Sequence, residues 1–509
     1  MTTMDDGRRR RRGYRNSNIL AVSILIFTIH CPQSHALLLT KGAFVGSHCS
    51  RIDDALVLPT TTGHRHRHGH RNRKNPAKSI SCPLHESKLQ LIDDGIDNSI
   101  FDNDLPPPSV LCMGEILWDS LPSGIYMGGA PSNVAVHLAS LFEHSSSTSS
   151  SSNHHPTVAI AACLGNDQLG REARRRLSLK GVRTDCIQCH ELWETGMATA
   201  TLNDNGDATY EFNTPAAWDG LKLEDRLMNM VQQQQQPDYN ERMSSSHSTQ
   251  VIIMGTIAAR LNGEHGSTSS STLATIRNTA REETAVILDV NLRSPWYTPE
   301  SVLELARGVG ASATEASLSS TKGKSSPKKL ALLKLNEEEL CILEQWCGLE
   351  SGYSTDSGKN DGSLAGSVLR QRMERIGKCL NAQRICVTRG KDGAALLCTS
   401  SNTGDDDDDD VDGSTLFHEN PGYSSLTNSA NNNDCDSVGA GDAFLAALVS
   451  SLFLYNEPPA RALQRACALG GYVAGCRGAT PDHGDAPEEL RRIFSFNSDW
   501  YDTEKSIVL

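Results

Sequence analysis

The stretch DCDSVGAGDAFLAALVSSLF, residues 434–453, sets three small residues and an aspartate at the mouth of an apolar helix. Phe444, Leu445, Leu448, Val449 and Leu452 fall on one helical face, so the spacing predicts a helix that starts near Ala440 and packs inward. The first amides of such a helix have no intrahelical partner, and Gly439, Ala440 and Gly441 carry no bulk to keep a ligand away. Free N–H groups and the helix dipole together make an anion site. Neither the Walker pattern G-x-x-x-x-G-K-[ST] nor the dinucleotide pattern G-x-G-x-x-G is present. Asp442 has two readings on this stretch alone: it complements the helix dipole, or it does chemistry beside a bound anion.

Working outward, one pattern runs from about Val110 to about Phe496. Short apolar runs (VLCMGE, TVAIAACLG, VIIMG, AVILDVN, KLALLKLN, RICVTRG) alternate with helical segments such as NVAVHLASLF and REARRRLSLKG. Runs of this kind are the buried strands of a parallel sheet, and repeated β-α units imply a doubly wound three-layer α/β sandwich. Residues 195–213, TGMATATLNDNGDATYEFN, break the pattern and read as an antiparallel hairpin around DNGD, a lid or an edge. Five polar stretches, Ser145–Asn153, Gln232–Gln236, 311–328, 351–367 and 399–433, read as surface insertions, because such sequence buries too little to order itself. Within the last of them DDDVDGSTLFHE, residues 408–419, fits the calcium-loop spacing. Its flanks are not helical and Thr415 holds the aliphatic position, so a calcium loop is rejected.

The net charge of −13 divides unevenly: residues 1–80 hold 14 Lys+Arg and 4 Asp+Glu, which is +10 and leaves −23 for the remainder. An acidic body argues against a nucleic-acid partner and suits an enzyme. Fifteen cysteines, odd in number and scattered through apolar runs, read as buried thiols in a reducing compartment. Cys186 and Cys189 have C-x-x-C spacing without a second pair, and two positions on an extended segment is the simpler reading than zinc. At the N-terminus, RRRRRGYRNSN and the 11-residue apolar run ILAVSILIFTI make residues 1–36 signal-peptide-like, too short to anchor the processed chain in a membrane. Residues 37–105 read as a basic presequence and disordered linker, the part up to Lys78 holding only Asp53 and Asp54 as acids, and a Pro-rich joint DLPPPS follows at 104–109. A signal peptide followed by such a presequence resembles the bipartite import signals of algae with complex plastids; the secretory pathway and the cytoplasm are the alternatives.

Other segments carry polar residues at glycine turns. GEILWDSLP, residues 114–122, places Asp119 just past the first strand, where a carboxylate can take two sugar hydroxyls. MGGAPSNVAVHLASL, residues 127–141, runs from Gly128 and Gly129 into a helix carrying Asn133. KLNEEEL puts Asn336 and Glu339 three apart, which is also the spacing of a capping box. VTRGKDGAAL sets Thr388, Gly390 and Gly393 in a turn after a strand.

In this order the segments resemble the ribokinase-like (PfkB-type) carbohydrate kinases, with DSVGAGDAF and GGAPSN matching the two signatures of that family. The resemblance spans about 110–483 and is closest to the fructokinase branch, through GEILWDSLP, GNDQLGREARRRLSLKGV, DVNLRSPWY, KLNEEEL and CVTRGKDGAAL. It implies a ribokinase-like three-layer α/β/α sandwich with a small β-hairpin or sheet lid, forming one kinase domain over 110–496. It implies ATP and Mg²⁺ as cofactors, a sugar as the second small-molecule partner, and phosphoryl transfer to fructose to give fructose 6-phosphate. By motif, Asp442 is the catalytic base, with Gly439, Ala440 and Gly441 holding the phosphoryl group. Asp119, Gly128, Gly129, Asn133, Asn291 and Arg293 face the sugar. Asn336, Glu339, Thr388, Gly390 and Gly393 face the nucleotide, with Glu339 also at the metal. Asp436 stands where relatives place a monovalent-cation loop, which implies activation by K⁺, and lid hairpins in this family often pair into homodimers. A carboxylate in the first helical turn is expected to have its pKa held down. Ser437 stands where the family often has Thr. A ribose or nucleoside acceptor, or a non-catalytic plastid scaffold, are the alternative readings; a Rossmann oxidoreductase is disfavoured by the missing fingerprint.

Overall fold

The computed structural model describes residues 106–121, 124–145, 156–202, 208–221, 249–259, 276, 283–294, 297–309, 329–349, 362–399, 415–423 and 437–496. The signal-peptide-like segment and presequence, residues 1–105, lie outside the described residues, as do Gln232–Gln236 and 311–328.

In chain order the first strands are β1 (Val110–Met113), β2 (Leu117–Leu121), β3 (Gly124–Gly128), β4 (Val158–Gly165), β5 (Ile187–His190), β6 (Gly196–Leu202) and β7 (Ala208–Phe212). They continue with β8 (Val251–Gly255), β9 (Ala285–Asp289), β10 (Leu332–Asn336), β11 (Arg384–Thr388), β12 (Ala394–Thr399) and β13 (Thr415–Asn420). The helices are α1 (Ala130–Ser145), α2 (Gln168–Leu179), α3 (Pro299–Gly308), α4 (Glu337–Trp346), α5 (Gly362–Leu380), α6 (Ala440–Val449), α7 (Pro459–Ala474) and α8 (Glu488–Phe494), with a helical turn at Thr256–Ala259.

Nine strands form one sheet in the order β13-β12-β11-β10-β9-β8-β1-β4-β5, parallel from β11 to β5 and antiparallel at β12 and β13. Side chains alternate across it. Val110 and Cys112 of β1 enter the core shared with α1, α6 and α7, whereas Leu111 and Met113 enter the opposite core, shared with α3, α4 and α5. Burial on both faces is why these strands are apolar throughout rather than alternating. The chain leaves β1 for β4 on one side and later returns to β8 on the other. That reversal opens a crevice at the carboxyl ends of the strands, the usual ligand position in such sheets.

A second sheet, β3-β2-β6-β7, is the lid. The expected hairpin at 195–213 is its β6–β7 pair, with Ala198 opposite Phe212 and Thr201 opposite Thr209. Leu117, Ala198, Ala216 and Trp218 make a small core beneath it.

α6 starts at Ala440 and packs inward as its spacing predicts, and it is covered on more than one face: every residue from Asp442 to Val449 is buried, because α1 and α7 pack on it as well as the sheet. Two expectations are corrected. The polar stretch 399–433 contains β13, whose six residues pair antiparallel with β12, so Glu419 of the rejected calcium loop sits on a strand. The stretch 351–367 overlaps the first turns of α5. In both places a short run of polar composition hid an element whose partners come from elsewhere in the chain.

Candidate active site

Four glycine or cap positions set the backbone at the crevice. Gly439 is left-handed (φ 78°) and precedes α6 without any side-chain cap. A Cβ there would lie 2.5 Å from the Ala479 carbonyl oxygen, so the turn is pressed against the strap around Ala479. Gly129 (φ 101°) wraps the chain over the Glu115 carbonyl and launches α1. At Gly128 a Cβ would fall 2.0 Å from Asp119 Oδ2, which shows how closely that carboxylate lies over the turn. Asn336 caps α4: its Oδ1 accepts the Glu339 amide and Glu339 Oε2 accepts the Asn336 amide, both at 2.8 Å, so the capping box foreseen at this spacing is formed.

These turns surround a cleft of about 330 Å³. Of the residues singled out in the sequence, Asp119, Gly129, Asn133, Asn291, Arg293, Gly439, Gly441 and Asp442 all line it. Asp119 reaches it from within lid strand β2, rather than from a loop after β1. Asn133, on α1, donates from Nδ2 to Asp442 Oδ2 at 2.8 Å, joining residues 309 apart in sequence. The Ala440 amide is turned back onto the Ser437 carbonyl at 3.3 Å; Gly441 and Asp442 follow it in the first turn, where amides have no intrahelical partner.

The remaining candidates sit further along the sheet edge. Asn336 and Thr388 are register partners at the ends of β10 and β11, and Gly390 and Gly393 form the turn into β12. Gly393 is left-handed (φ 84°) and a Cβ there would strike the Asn420 carbonyl at 1.9 Å, so only glycine fits. Glu339 commits both oxygens to backbone amides: besides Asn336, its Oε1 accepts the Leu292 amide at 2.8 Å. It thereby ties the Asn291–Arg293 turn, where Asn291 is left-handed (φ 33°), to the head of α4. Asp436 lies outside the described residues.

Sequence reading missed three charged residues here. Lys334 Nζ donates to both carboxylate oxygens of Asp289 at 3.0 Å, in a pair almost wholly buried. A lone Lys in KLALLKLN and a lone Asp in AVILDVN, each in an otherwise apolar run, were the available signal. Glu115 follows β1; its Oε1 accepts the Ala130 amide at 3.1 Å, and it lines the cleft.

Burial dominates the electrostatics. It lifts the Asp442 carboxyl to about 6, although the Asn133 amide and Lys334 oppose the rise. The expected depression by the helix terminus is therefore overturned. Burial likewise lifts Glu115 to about 7, with its own backbone amide, the Ala130 amide and Arg293 opposing the rise and Asp442 adding to it. At Lys334 burial works against the ammonium, but Asp289, Asp442 and Glu339 outweigh it and the pKa is raised.

One turn beyond Asn133 on α1, His137 steadies the strap under Gly439. Its Nε2 lies 2.9 Å from the Ala479 carbonyl, which can only accept, so Nε2 carries the proton. Nδ1 is then the acceptor for His483 Nε2 at 2.9 Å. Burial pushes His137 down to about 4, which keeps the ring neutral at pH 7.

Cys186 and Cys189 are free thiols at β5, and no cluster of three or more His, Cys, Asp or Glu positioned for a metal occurs among the described residues. No helix among them is long and apolar enough to cross a membrane.

A three-layer sandwich with a lid sheet over an acidic cleft at a helix N-terminus defines a ribokinase-like fold. Residues 124–249 and 295–484 match the pfkB family carbohydrate kinase profile, and the chain belongs to that family. No curated protein matches the chain. Among solved structures it is similar to a fructokinase with bound ATP from Xylella fastidiosa, at 18% identity and TM-score 0.47, covering 73% of this chain and 94% of that one. It is similar to a fructokinase from Vibrio cholerae O395 in a fructose-, ADP- and calcium-bound form, at 20% identity and TM-score 0.46, covering 78% and 98%. A putative ribokinase II from E. coli aligns at 17% identity and TM-score 0.48, covering 79% and 99%.

Proposed function

We propose that this carbohydrate kinase transfers the γ-phosphoryl group of ATP to the 6-hydroxyl of fructose, with Asp442 as the catalytic base. The observation that carries the reading is the 2.8 Å contact between Asn133 and Asp442. It brings a polyol-binding type of side chain and the carboxylate at the head of α6 into one cleft, beside Asp119. A role at the helix dipole alone does not require the carboxylate to be drawn into the cleft beside Asp119 and Asn133.

In the proposed step the sugar hydroxyl oxygen forms a bond to the γ-phosphorus while the bond from that phosphorus to the bridging oxygen of ADP breaks. The hydroxyl proton passes to Asp442, whose carboxylate is mostly ionised above pH 6. A loose phosphoryl-transfer transition state asks for positioning and charge neutralisation more than for a strong base. Amides at the start of α6 face the transferring group, and Arg293 and Lys334 add positive charge at the cleft wall. The turn bearing Thr388, Gly390 and Gly393 lies beside Asn336, where a nucleotide can follow the sheet edge. Glu339 is the carboxylate available to a Mg²⁺ ion carried by the nucleotide, and because its two oxygens already accept the Leu292 and Asn336 amides it fits an ion whose other ligands are phosphate oxygens and water. Glu339 would hold it through water, and the ion would neutralise phosphate charge.

The test is ATP consumption by the purified chain against a panel of ketoses, aldoses and nucleosides with Mg²⁺. Turnover of fructose ahead of ribose and nucleosides is expected. Preference for ribose or a nucleoside would move the substrate within the class, and silence across the panel would leave the scaffold reading. Asp442→Asn should lower kcat at least about a hundredfold while leaving nucleotide binding intact.

A further inference from the structure

The cleft contains two hydrogen-bonding atoms that the protein itself does not satisfy. Glu115 is 3% exposed, and while its Oε1 takes the Ala130 amide, its Oε2 is buried without a partner. Asn133 is also 3% exposed; its Nδ2 serves Asp442, and its Oδ1 is buried without a partner. Both residues line the cleft. The orientation of the Asn133 amide follows from chemistry, because only its NH₂ can meet an ionised carboxylate. Both unsatisfied atoms are acceptors when Glu115 is ionised. Leaving such an atom buried and unpaired costs about 1–3 kcal/mol, so a ligand that fits must bring donors.

The charges facing the cleft point the same way. Carboxylates come from β2 (Asp119), the β1 exit (Glu115) and α6 (Asp442), while Arg293 and Lys334 supply the cations, the latter held by Asp289. A hydroxyl donates; a sugar carboxylate or phosphate at this end only accepts and adds to the negative charge.

From this arrangement we propose that Glu115 is a specificity-determining residue of the acceptor site. Its Oε2 receives a hydroxyl of an uncharged polyol, with Asn133 Oδ1 receiving a second, and the pair excludes acceptors that present an anion there. The proposal rests on the sugar-kinase reading and deepens it. Its competitor is a buried water, since a neighbouring cavity of about 10 Å³, also lined by Glu115, has room for one.

The experiment compares fructose with its monodeoxy analogues, and with gluconate as an anionic acceptor, in the wild-type chain and in Glu115→Gln. Glutamine keeps an oxygen for the Ala130 amide and puts a donor where the unpaired acceptor stood. Assays run at pH 8, above the value near 7 to which burial lifts Glu115. In the wild type at least one deoxy analogue should lose tenfold or more in kcat/KM, and gluconate should be rejected. In Glu115→Gln, kcat/KM on fructose should fall about tenfold or more, chiefly through KM. The penalty for that same deoxy analogue should shrink below about threefold, and discrimination against gluconate should narrow. Equal deoxy penalties in both proteins would mean that Glu115 serves a water and the helix only, and would overturn the proposal with the kinase reading intact. Wild-type preference for gluconate over fructose would overturn it without any variant. A wild type inactive on every sugar would remove both readings together.

Discussion

Asp442→Asn should make the protein more stable as it becomes inactive, and the size of the gain can be worked from the site. Asp442 is 9% exposed, and burial raises its carboxyl from 3.8 to about 6. A carboxyl raised in the folded state binds its proton more tightly there than in the unfolded chain. Its stabilising contribution is therefore complete below the unfolded value of 3.8 and is lost as pH rises through about 6. A difference of about 2 at roughly 1.4 kcal/mol each comes to about 3 kcal/mol lost by pH 7. Asparagine does not titrate, and its side-chain oxygen can still accept from Asn133 Nδ2. The variant should match the wild type near pH 4 and exceed it by up to about 3 kcal/mol at pH 8. Denaturant midpoints measured at both pH values on the ligand-free chain give the comparison, with slopes checked for equality so that a shift reads as stability. A variant no more stable than the wild type at pH 8, or a difference that does not change between the two pH values, would refute the claim that the carboxylate is held against desolvation.

Three other outcomes follow from the same geometry. With Asp442 as the base, kcat should climb with pH through about 6 and reach a plateau, and an acid limb more than about one unit away would point to another group. Lys334→Met strands the buried Asp289 carboxylate and should cost about 3–5 kcal/mol of stability, most of it regained when Asp289→Leu is added; a single variant that unfolds like the wild type would show the pair is not desolvated. Gly128→Ala sets a methyl 2.0 Å from Asp119 Oδ2 and should raise KM for the sugar tenfold or more while leaving KM for ATP within about twofold; equal effects on both would argue that the whole turn had moved.

Much of the fold was legible because its signals are local. Apolar runs such as VAIAACLG have the length and composition of strands covered on both faces, and their alternation with helical segments leads to a parallel sheet. The glycine turns at Gly129 and Gly439 announced themselves by residue type, and both are left-handed as a turn feeding a helix requires. What escaped depends on partners distant in sequence. β13 reads as part of a polar insertion until β12 is laid against it. Lys334 and Asp289 are each an oddity inside an apolar run, and the reason for either appears only when β9 and β10 are paired so that Lys334 stands beside Asp289. Glu115 carried no signal of its own. Its burial arises because Gly129 folds the start of α1 over the β1 exit, and the charge of a carboxylate gives no hint of that.

At Asp442 local reasoning gave the wrong sign for the pKa shift. A first-turn carboxylate gains about 0.3–1 kcal/mol from the helix dipole, rising to about 2 kcal/mol in partly buried sites. That argument holds for an exposed helix end. α6 is instead enclosed by the sheet, α1 and α7. Desolvation then shifts a fully buried acid by up to about 3–5 pKa units, which exceeds what the dipole, Asn133 and Lys334 return. The two readings of Asp442 with which the sequence began are therefore not alternatives of equal weight. A helix stabilised by its own first-turn aspartate would leave that carboxylate in water, whereas this one is buried at a net cost in stability. That burial fits the proposed role of a base beside a ligand better than the role of a dipole partner, and the Asn133 amide is the partner that α1 supplies to it.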